Sequence, residues 1–299
     1  MTPCGLVINA RGSHDELGRL IEERFDARGG ATDYTARYFY DLASNRVRLE
    51  KDLANADPAS FTADEVSSYG YDANDRLRWE LFDAAGTSND TNTVYTYGAN
   101  NAWTLLTAKR VREGLVVGSG NPLDFDENYQ YDLEGRLSAA QITSGLTTRT
   151  HTYQYNHEGH RVRQTEQVSG GPVTTTVYHV DPHNPTGYAQ VLEEGVDANG
   201  DGTLQAAEID RSYTLGHDVV AQAAANGTVD HFLYDGHGST RALVTETGAI
   251  HQRYAFDAWG QQLSGGVTGL TSAAAAATRF LYSGEWTDRT GLQYLRARY

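Results

Sequence analysis

Residues 131–138 read YDLEGRLS, and this short pattern decides the fold because it returns along the chain. Each copy has Tyr, then Asp or Asn, two variable residues, a polar turn former such as Gly, and then Arg with an aliphatic residue. The good copies are YDLASNRV at 40–47, YDANDRLR at 71–78, YDLEGRLS at 131–138 and YNHEGHRV at 155–162, and weaker copies are YGANNAWT at 97–104, YDGHGSTR at 234–241 and FDAWGQQL at 256–263.

The residue types of the repeat predict a β-hairpin. Tyr ends a strand, and the Asp or Asn side chain bonds the backbone ahead of it and starts a turn. Gly or Asn accepts the left-handed conformation of a tight hairpin, and Arg with Leu or Val begins the return strand. Because one hairpin cannot bury its own face, stability must come from stacking successive hairpins. We therefore predict an all-β ribbon of hairpins with partly buried tyrosines, namely Tyr40, Tyr71, Tyr131 and Tyr155.

The composition agrees with a β-protein whose core relies on tyrosine. The chain has 299 residues with 39% hydrophobic residues, and its mean hydropathy is -0.55. It contains 19 Tyr and 8 Phe, and the apolar ring and polar tip of Tyr suit a half-wet surface. The formal net charge of -15 argues against a nucleic-acid partner, because such a partner requires a basic stripe.

Residues 13–26, SHDELGRLIEERFD, predict one short N-terminal helix. Ser13 and Glu16 have the spacing of a capping box. A helix would also place several apolar residues on one face, which favours packing against the rest of the protein. These residues are Leu17, Leu20, Ile21 and Phe25.

Membrane and catalytic signatures are missing from the sequence. No apolar stretch reaches the ~20 residues that span a bilayer, and the first residues lack the basic start and apolar run of a secretory signal. The single cysteine, Cys4, cannot form a disulfide within the chain. HExxH, GxSxG and P-loop motifs are absent. We therefore expect no membrane span, no catalytic residues and no enzymatic activity.

The repeats resemble the YD repeats of RHS proteins, toxin-complex C subunits and teneurins. Two further stretches are similar to the RHS-associated core, namely HFLYDGHGSTRALVTETGAIHQRYAFDAWG at 231–260 and FLYSGEWTDRTGLQYLRARY at 280–299. The resemblance implies a ribbon of β-hairpins that spirals as part of a hollow shell. It covers residues 34–299 and implies YD repeats at 34–210, with an insertion at 197–208, and an RHS-associated core at 211–299 that is truncated at its C-terminal end. The predicted helix makes residues 1–33 a separate N-terminal helical segment.

This resemblance implies a non-catalytic shell or delivery module of a bacterial polymorphic toxin or surface protein. The module would be secreted or displayed on the cell surface, and its partner would be the remainder of an RHS shell or a C-terminal toxin domain. The alternative is an extracellular adhesion or carbohydrate-binding module with a cell-surface carbohydrate or receptor as its partner. Exposed aromatic residues such as Trp103 and Trp259 would then form the binding surface.

Residues 197–208, DANGDGTLQAAE, match a twelve-residue EF-hand calcium loop at its key positions. Oxygen ligands stand at positions one, three, five, seven, nine and twelve, and Gly202 occupies the sharp turn. The flanking residues predict strands instead of the two helices of an EF-hand, so we expect a single structural Ca²⁺ that stabilises an insertion. The alternative is a hairpin loop that binds no ion. The predicted ligands are Asp197, Asn199, Asp201, Thr203, Gln205 and Glu208.

Overall fold

The computed structural model describes residues 9–26, 34–53, 57–85, 90–98, 105–113, 123–263, 276–288 and 290–296. Nearly all regular structure in these ranges is β-strand, and they contain no α-helix. The described residues up to Asn128 form one compact unit, and those from Tyr129 onward form a second. The predicted all-β fold class is confirmed. Cys4 and Trp103 lie outside the described residues.

The first unit is an antiparallel sheet in which each strand pairs with the next along the chain. One 3-10 turn, Pro58–Ser60, lies between its fourth and fifth strands. Its strands are β1 (Asn9–His14), β2 (Leu20–Asp26), β3 (Tyr34–Tyr40), β4 (Arg46–Leu53), β5 (Glu65–Tyr71), β6 (Leu77–Ala84), β7 (Thr91–Tyr97), β8 (Leu106–Glu113) and β9 (Leu123–Tyr131), the last of which ends in the second unit.

The second unit continues the same antiparallel pairing between successive strands. Short 3-10 turns occur at Ala206–Glu208 and Tyr282–Gly284. Its strands are β10 (Leu137–Ser144), β11 (Thr147–Tyr155), β12 (Arg161–Val168), β13 (Val173–Asp181), β14 (Gln190–Val196), β15 (Ile209–Leu215), β16 (Val219–Ala224), β17 (Val229–Tyr234), β18 (Thr240–Thr245), β19 (Ile250–Arg253) and the small pair β20 (Trp286–Thr287) and β21 (Gln293–Tyr294).

The repeat motif sets the ends of the strands, as the sequence predicts. The motif tyrosine is the last residue of β3, β5, β9 and β11, and the return strand begins six residues later in each case. The register shifts at or beside the tyrosine in three of these hairpins, so that the turn closes with a bulge. The predicted tyrosines of the four good copies are all half-buried, which confirms the predicted partial burial.

The core of the second unit is built from aromatic side chains of the sheet and of segment 276–296. Phe280 and Trp286 meet edge to face, with ring centroids 5.2 Å apart. Tyr213 packs against Phe280 at 5.0 Å, and Tyr178 packs against Trp286 at 5.6 Å. Such edge-to-face contacts stabilise a core beyond the area that they bury. The segment therefore packs its aromatic residues against the aromatic residues of the sheet, and it covers that face of the sheet.

The predicted N-terminal helix at 13–26 is wrong, because this stretch forms the hairpin of β1 and β2. Asp15 accepts hydrogen bonds from the backbone of Leu17 and Arg19, both at 2.9 Å, and Gly18 has φ +78°. Leu17 projects from the turn with 74% of its surface exposed, whereas Phe25 is only 2% exposed and stacks on Tyr34. The apolar residues have helical spacing by chance. The Asp-x-x-Gly-Arg-Leu sequence at 15–20 forms a tight turn instead, because Asp15 binds the backbone ahead of it and Gly18 adopts the left-handed conformation.

Candidate functional site

The turn of each repeat is organised by one carboxylate or amide side chain. In the turn at 132–136, Asp132 accepts from the backbone of Glu134 at 3.1 Å and of Arg136 at 2.8 Å. Its second oxygen binds the Nε of Arg136 at 2.6 Å, which orients the guanidinium along the turn. The same bonds to the backbone two and four residues ahead occur at Asp15, Asp72, Asn156, Asp235 and Asp257.

In five of the repeats, a tyrosine hydroxyl links the hairpin to the one before it. The Tyr155 hydroxyl donates to the backbone carbonyl of Leu137 at 2.8 Å. Leu137 is the first residue of β10, the preceding return strand. The guanidinium of Arg136 lies over the ring of Tyr155, 4.7 Å from its centroid. We call this pair of contacts the repeat latch. The hydroxyl part of the latch recurs from Tyr40 to Leu20, from Tyr71 to Arg46, from Tyr97 to Leu77 and from Tyr234 to Val219.

The arginine of the repeat latch lowers the pKa of the aspartate in its own turn. The hydrogen bond from the Arg76 side chain is the largest cause that lowers the pKa of Asp72, to about 2. Arg76 also lies over the ring of Tyr97, 4.8 Å from its centroid. The ionised Asp72 therefore fixes an arginine that contacts the next repeat, so one turn positions its neighbour.

Two repeat turns were missed by the sequence interpretation. The first is the turn at 15–19, which was read as a helix, and the second is the turn at 288–292. In the second turn, the backbone of Asp288 donates to the Leu292 carbonyl at 2.8 Å and Gly291 donates to the Asp288 carbonyl at 3.0 Å. Both have the Asp-x-x-Gly spacing of the copy at 131–138, which is the signal that could have found them. The turn of the weak copy at 97–104 lies largely outside the described residues.

The loop at 197–208 is closed by hydrogen bonds from its own backbone to its carboxylates. Asp197 accepts from Gly200 at 2.7 Å and from Gly202 at 2.9 Å. Glu208 accepts from Ala198 at 2.9 Å, so the last position reaches back to the start of the loop. These bonds bring the carboxylate of the last predicted ligand to the start of the loop, where the first predicted ligand lies.

The remaining predicted ligands lie on the exposed side of this loop. Asp201 accepts from the backbone and the hydroxyl of Thr203 at 2.8 and 2.6 Å, and the hydroxyl bond is the largest cause that lowers the pKa of Asp201. Asn199 donates to Asp201 at 3.0 Å, and Gln205 donates to the Thr203 hydroxyl at 2.8 Å. Asp201 is therefore held in its ionised form.

The loop is seated on the sheet by contacts that the sequence interpretation missed. The side chain of Leu204, at position eight, is buried. Arg163 of β12 donates to the Gly202 carbonyl at 2.8 Å, and the Asp197 amide donates to the Thr175 carbonyl of β13 at 3.0 Å. A β-carbon at Gly195 would lie 1.9 Å from the Glu208 carbonyl oxygen, so the two stems of the loop approach as closely as glycine permits.

The donor chemistry of the loop fits a hard cation, because its side chains offer oxygen ligands of the kind that Ca²⁺ prefers. In this conformation, however, the carboxylates are directed at backbone amides. Within the described ranges, no three His, Cys, Asp or Glu side chains are grouped closely enough to hold a metal ion. Calcium binding by the loop therefore stays a prediction.

The segment that closes the second unit is anchored by a fully buried ion pair. The Nη1 of Arg161 binds Asp288 at 2.8 Å, and both side chains are only 1% exposed. Trp286 donates its indole N–H to the other oxygen of Asp288 at 3.1 Å. The Arg161 guanidinium also lies 4.4 Å from the ring centroid of Tyr294, whose hydroxyl accepts from the Arg161 backbone at 3.2 Å. Strand β12 and the closing segment are thus joined through one charged, aromatic cluster.

Comparison with known proteins finds curated relatives that are similar to this chain in sequence. No family model matches the chain. The tRNA3(Ser)-specific nuclease WapA of Bacillus spizizenii is 29% identical over 228 residues, and the tRNA nuclease WapA of Bacillus subtilis strain 168 is 30% identical over 228 residues. Each match covers 69% of this chain, but the chain spans only 9% of the length of either relative. These matches support the general resemblance to RHS-type proteins.

Solved structures include a similar chain in the crystal structure of TcdB2-TccC3. The match covers 98% of this chain and 17% of that chain, with 15% sequence identity and a TM-score of 0.45. No helix in the described part of the chain is long and apolar enough to cross a membrane.

The expectation that this chain has no enzymatic activity is contradicted by the relatives, because both are named as tRNA nucleases. The expectation rested on motifs of metalloproteases, hydrolases and nucleotide-binding enzymes. Those motifs do not report on RNA cleavage. The acidic composition of this chain carries no information about the rest of the relatives, of whose length the chain spans only 9%.

Proposed function

We propose that this chain is a YD-repeat shell or delivery module of an RHS-type toxin with tRNA nuclease activity. The repeat latch is the observation that carries the proposal. A latch that recurs from hairpin to hairpin stabilises a scaffold by nearest-neighbour contacts, as repeat proteins do. The names of the two curated relatives supply the expected activity, and the resemblance of the repeats supplies the expected scaffold.

The proposed module is secreted or displayed on a bacterial surface. Its partners are the remainder of an RHS shell or a C-terminal toxin domain. The closing segment at 276–296 supports this arrangement, because it docks on the sheet through Arg161 and Asp288 and so defines one covered face. A toxin domain that follows such a segment would start from a fixed point on the scaffold.

Competition between bacterial strains tests this proposal. A strain that carries the gene would be grown with a sensitive strain, and the tRNA of the sensitive cells would be analysed on gels. We expect tRNA cleavage in the sensitive cells, and we expect gene deletion to abolish it. Replacing Tyr155 and Tyr234 by Ala should reduce the cleavage by weakening two latches. Intact tRNA in cells exposed to the wild-type strain would contradict the nuclease proposal.

Calcium binding at 197–208 is a separate proposal that rests on the twelve-residue pattern and on the oxygen ligands of the loop. Asp197, Asn199, Asp201, Thr203, Gln205 and Glu208 would hold a structural Ca²⁺. Binding would replace the bonds from Gly200 and Gly202 to Asp197 with direct contacts to the ion. The loop would then fix the junction of β14 and β15.

Calorimetric titration with Ca²⁺ checks this proposal. We expect a dissociation constant on the order of 10⁻⁴ M, as for extracellular modules. Asp197→Ala and Glu208→Ala should abolish the calcium-dependent heat. Asp210→Asn is the matched control, because Asp210 is an exposed carboxylate just beyond the loop. The absence of heat with the wild-type chain would identify the loop as a hairpin that binds no ion.

Carbohydrate binding is a second candidate function, favoured by one exposed aromatic residue. Trp259 stands in the turn of its repeat and is 50% exposed. Aromatic rings with a polar handle are suited to partly wet recognition surfaces. Binding to a glycan array that is lost in Trp259→Ala would support this candidate.

A further inference from the structure

A polar cavity of about 240 Å³ lies within the second unit. Strands β12 to β15 supply one part of its lining, and the closing segment supplies the other part. Tyr178 and Trp286 form its aromatic wall. The charged side chains of the lining are Glu166, Glu194, Asp210, Asp288, Arg211 and Arg279.

Three of these four carboxylates already have an arginine partner. Asp288 binds Arg161 at 2.8 Å. Glu194 binds Arg211 at 3.3 Å and also accepts from the Tyr213 hydroxyl at 2.8 Å. Glu166 binds Arg149 at 3.0 Å. The charges of these pairs are compensated inside the protein, so a ligand is not required to neutralise them.

The cationic donors of the cavity are not fully matched. Within the described ranges, half-buried Arg279 has no ion-pair partner and no side-chain hydrogen bond. The Nε of Arg211 is buried and likewise has no acceptor there. A buried donor without an acceptor costs free energy, because it has lost its hydrogen bonds to water. The Arg211 Nε is out of reach of a ligand, so half-buried Arg279 is the cavity arginine that favours a ligand with acceptor oxygens.

We propose that this cavity binds a singly charged carboxylate group through the guanidinium of Arg279. A guanidinium presents a planar fork of N–H donors, which matches the two oxygens of a carboxylate. Asp210 is the wall carboxylate without an arginine partner in the described ranges, and it repels a doubly charged phosphate more strongly than a singly charged carboxylate. Asp210, which is exposed and has no ion-pair partner in the described ranges, can accept from an amine or amide next to the bound carboxylate.

Two sources can supply this chemistry, namely a free amino acid and the acidic side chain of a polypeptide. Calorimetry with the whole chain distinguishes them when L-glutamate and an acetylated, amidated Gly-Glu-Gly peptide are used as separate probes. We expect at least one probe to bind, and the tighter one identifies the source. The corresponding Gly-Gln-Gly peptide, or the diamide of L-glutamate in which both carboxylates are amides, should bind at least about tenfold more weakly, because it lacks the charge of the hydrogen-bonded carboxylate.

Arginine variants locate the binding in this cavity. Arg279→Gln should lower the affinity at least about tenfold, because it removes a charge-assisted hydrogen bond. Arg253→Gln is the matched control, since Arg253 is a half-buried arginine of β19 outside the cavity, and it should bind like the wild type. If Arg279→Gln does not fold, Arg279→Lys keeps the charge but loses the planar fork, and should still bind more weakly than wild type.

Three outcomes would overturn the proposal. In the first, neither glutamate probe produces heat with the wild-type chain. In the second, inorganic phosphate binds more tightly than both glutamate probes. In the third, the Arg279 variants bind as the Arg253→Gln control does. None of these outcomes depends on nuclease activity or on delivery, so the proposed function and this inference fail independently.

Discussion

A single hydroxyl distinguishes tyrosine from phenylalanine at the end of each repeat strand. In Tyr155 this hydroxyl binds the Leu137 carbonyl at 2.8 Å, while the ring lies beneath Arg136. Phenylalanine would keep the packing and the cation–π contact but would leave the carbonyl without this donor. The latch therefore explains the choice of Tyr over Phe at Tyr40, Tyr71, Tyr97, Tyr155 and Tyr234.

Replacing Tyr155 by Phe tests the hydroxyl part of the latch. We expect the free energy of unfolding to fall by about 1 kcal/mol, which is the typical net contribution of one hydrogen bond. The control is Tyr188→Phe, because Tyr188 is 65% exposed and stands outside the repeat turns. Denaturant unfolding monitored by circular dichroism gives both values. Equal stability of the two variants would show that the hydroxyl contributes nothing.

The buried pair of Arg161 and Asp288 predicts a larger effect. Asp288→Asn leaves the Arg161 charge inside the protein without its counter-charge, and we expect a loss of about 3 kcal/mol or more. Arg149→Gln is the control, since the Arg149–Glu166 pair is exposed on the arginine side and should contribute less than about 1 kcal/mol. Thermal melts of both variants measure the difference. A melt of Asp288→Asn that matches the control would contradict a structural role for the pair.

At the scale of the element, the hairpin of β1 and β2 depends on one turn residue. Gly18 has φ +78°, a conformation that costs free energy for a residue with a β-carbon. In a helix, by contrast, Gly is less favourable than Ala. The same substitution therefore has opposite signs in the two possible structures of residues 13–26.

Gly18→Ala distinguishes the hairpin from the helix by the sign of the change in the free energy of unfolding. The hairpin predicts a loss of about 1 kcal/mol in the free energy of unfolding, whereas a helix would gain a similar amount. Gly236→Ala is the control, because Gly236 is not in the left-handed region and a β-carbon there meets nothing within 4 Å. Denaturant unfolding of the two variants compares them directly. Stabilisation by Gly18→Ala would restore the helix interpretation.

The elements that the sequence predicts correctly are those with local causes. The Asp132 turn and its flanking strands follow from residues within eight positions of one another. The hairpin at 9–26 was mistaken because Leu17, Leu20, Ile21 and Phe25 also satisfy a helical spacing, although Asp15 and Gly18 fix a turn. The pair of Arg161 and Asp288 was not predictable, because its partners lie 127 residues apart. Likewise, the loop pattern predicts ligand types at 197–208 but not the bond from Arg163 that seats the loop.

At the scale of the whole molecule, the use of tyrosine makes stability depend on alkaline pH. The chain has 19 Tyr and 8 Phe. Burial is the largest cause that raises the pKa of Tyr69, Tyr131 and Tyr254, each to about 12. An unfolded tyrosine ionises near pH 10, so between about pH 10 and pH 12 only the unfolded chain loses these protons. The folded state is therefore favoured by these tyrosines below about pH 10, and this contribution is lost as the pH rises towards 12.

Alkaline titration followed by two probes tests this linkage. Near-ultraviolet absorbance reports tyrosinate formation, and circular dichroism reports the sheet. We expect the buried tyrosines to ionise together with the loss of the sheet signal, above about pH 10. Between neutral pH and about pH 12, the free energy of unfolding should fall less in Tyr131→Phe than in the wild type, because one group with a raised pKa is removed. High salt serves as the control. It screens the charge repulsion within a chain of net charge -15, but it leaves the contribution of tyrosine ionisation to the free energy of unfolding in place. If all tyrosines ionise in one step near pH 10 while the sheet signal persists, the core does not depend on buried tyrosine as the latch and the aromatic cluster require.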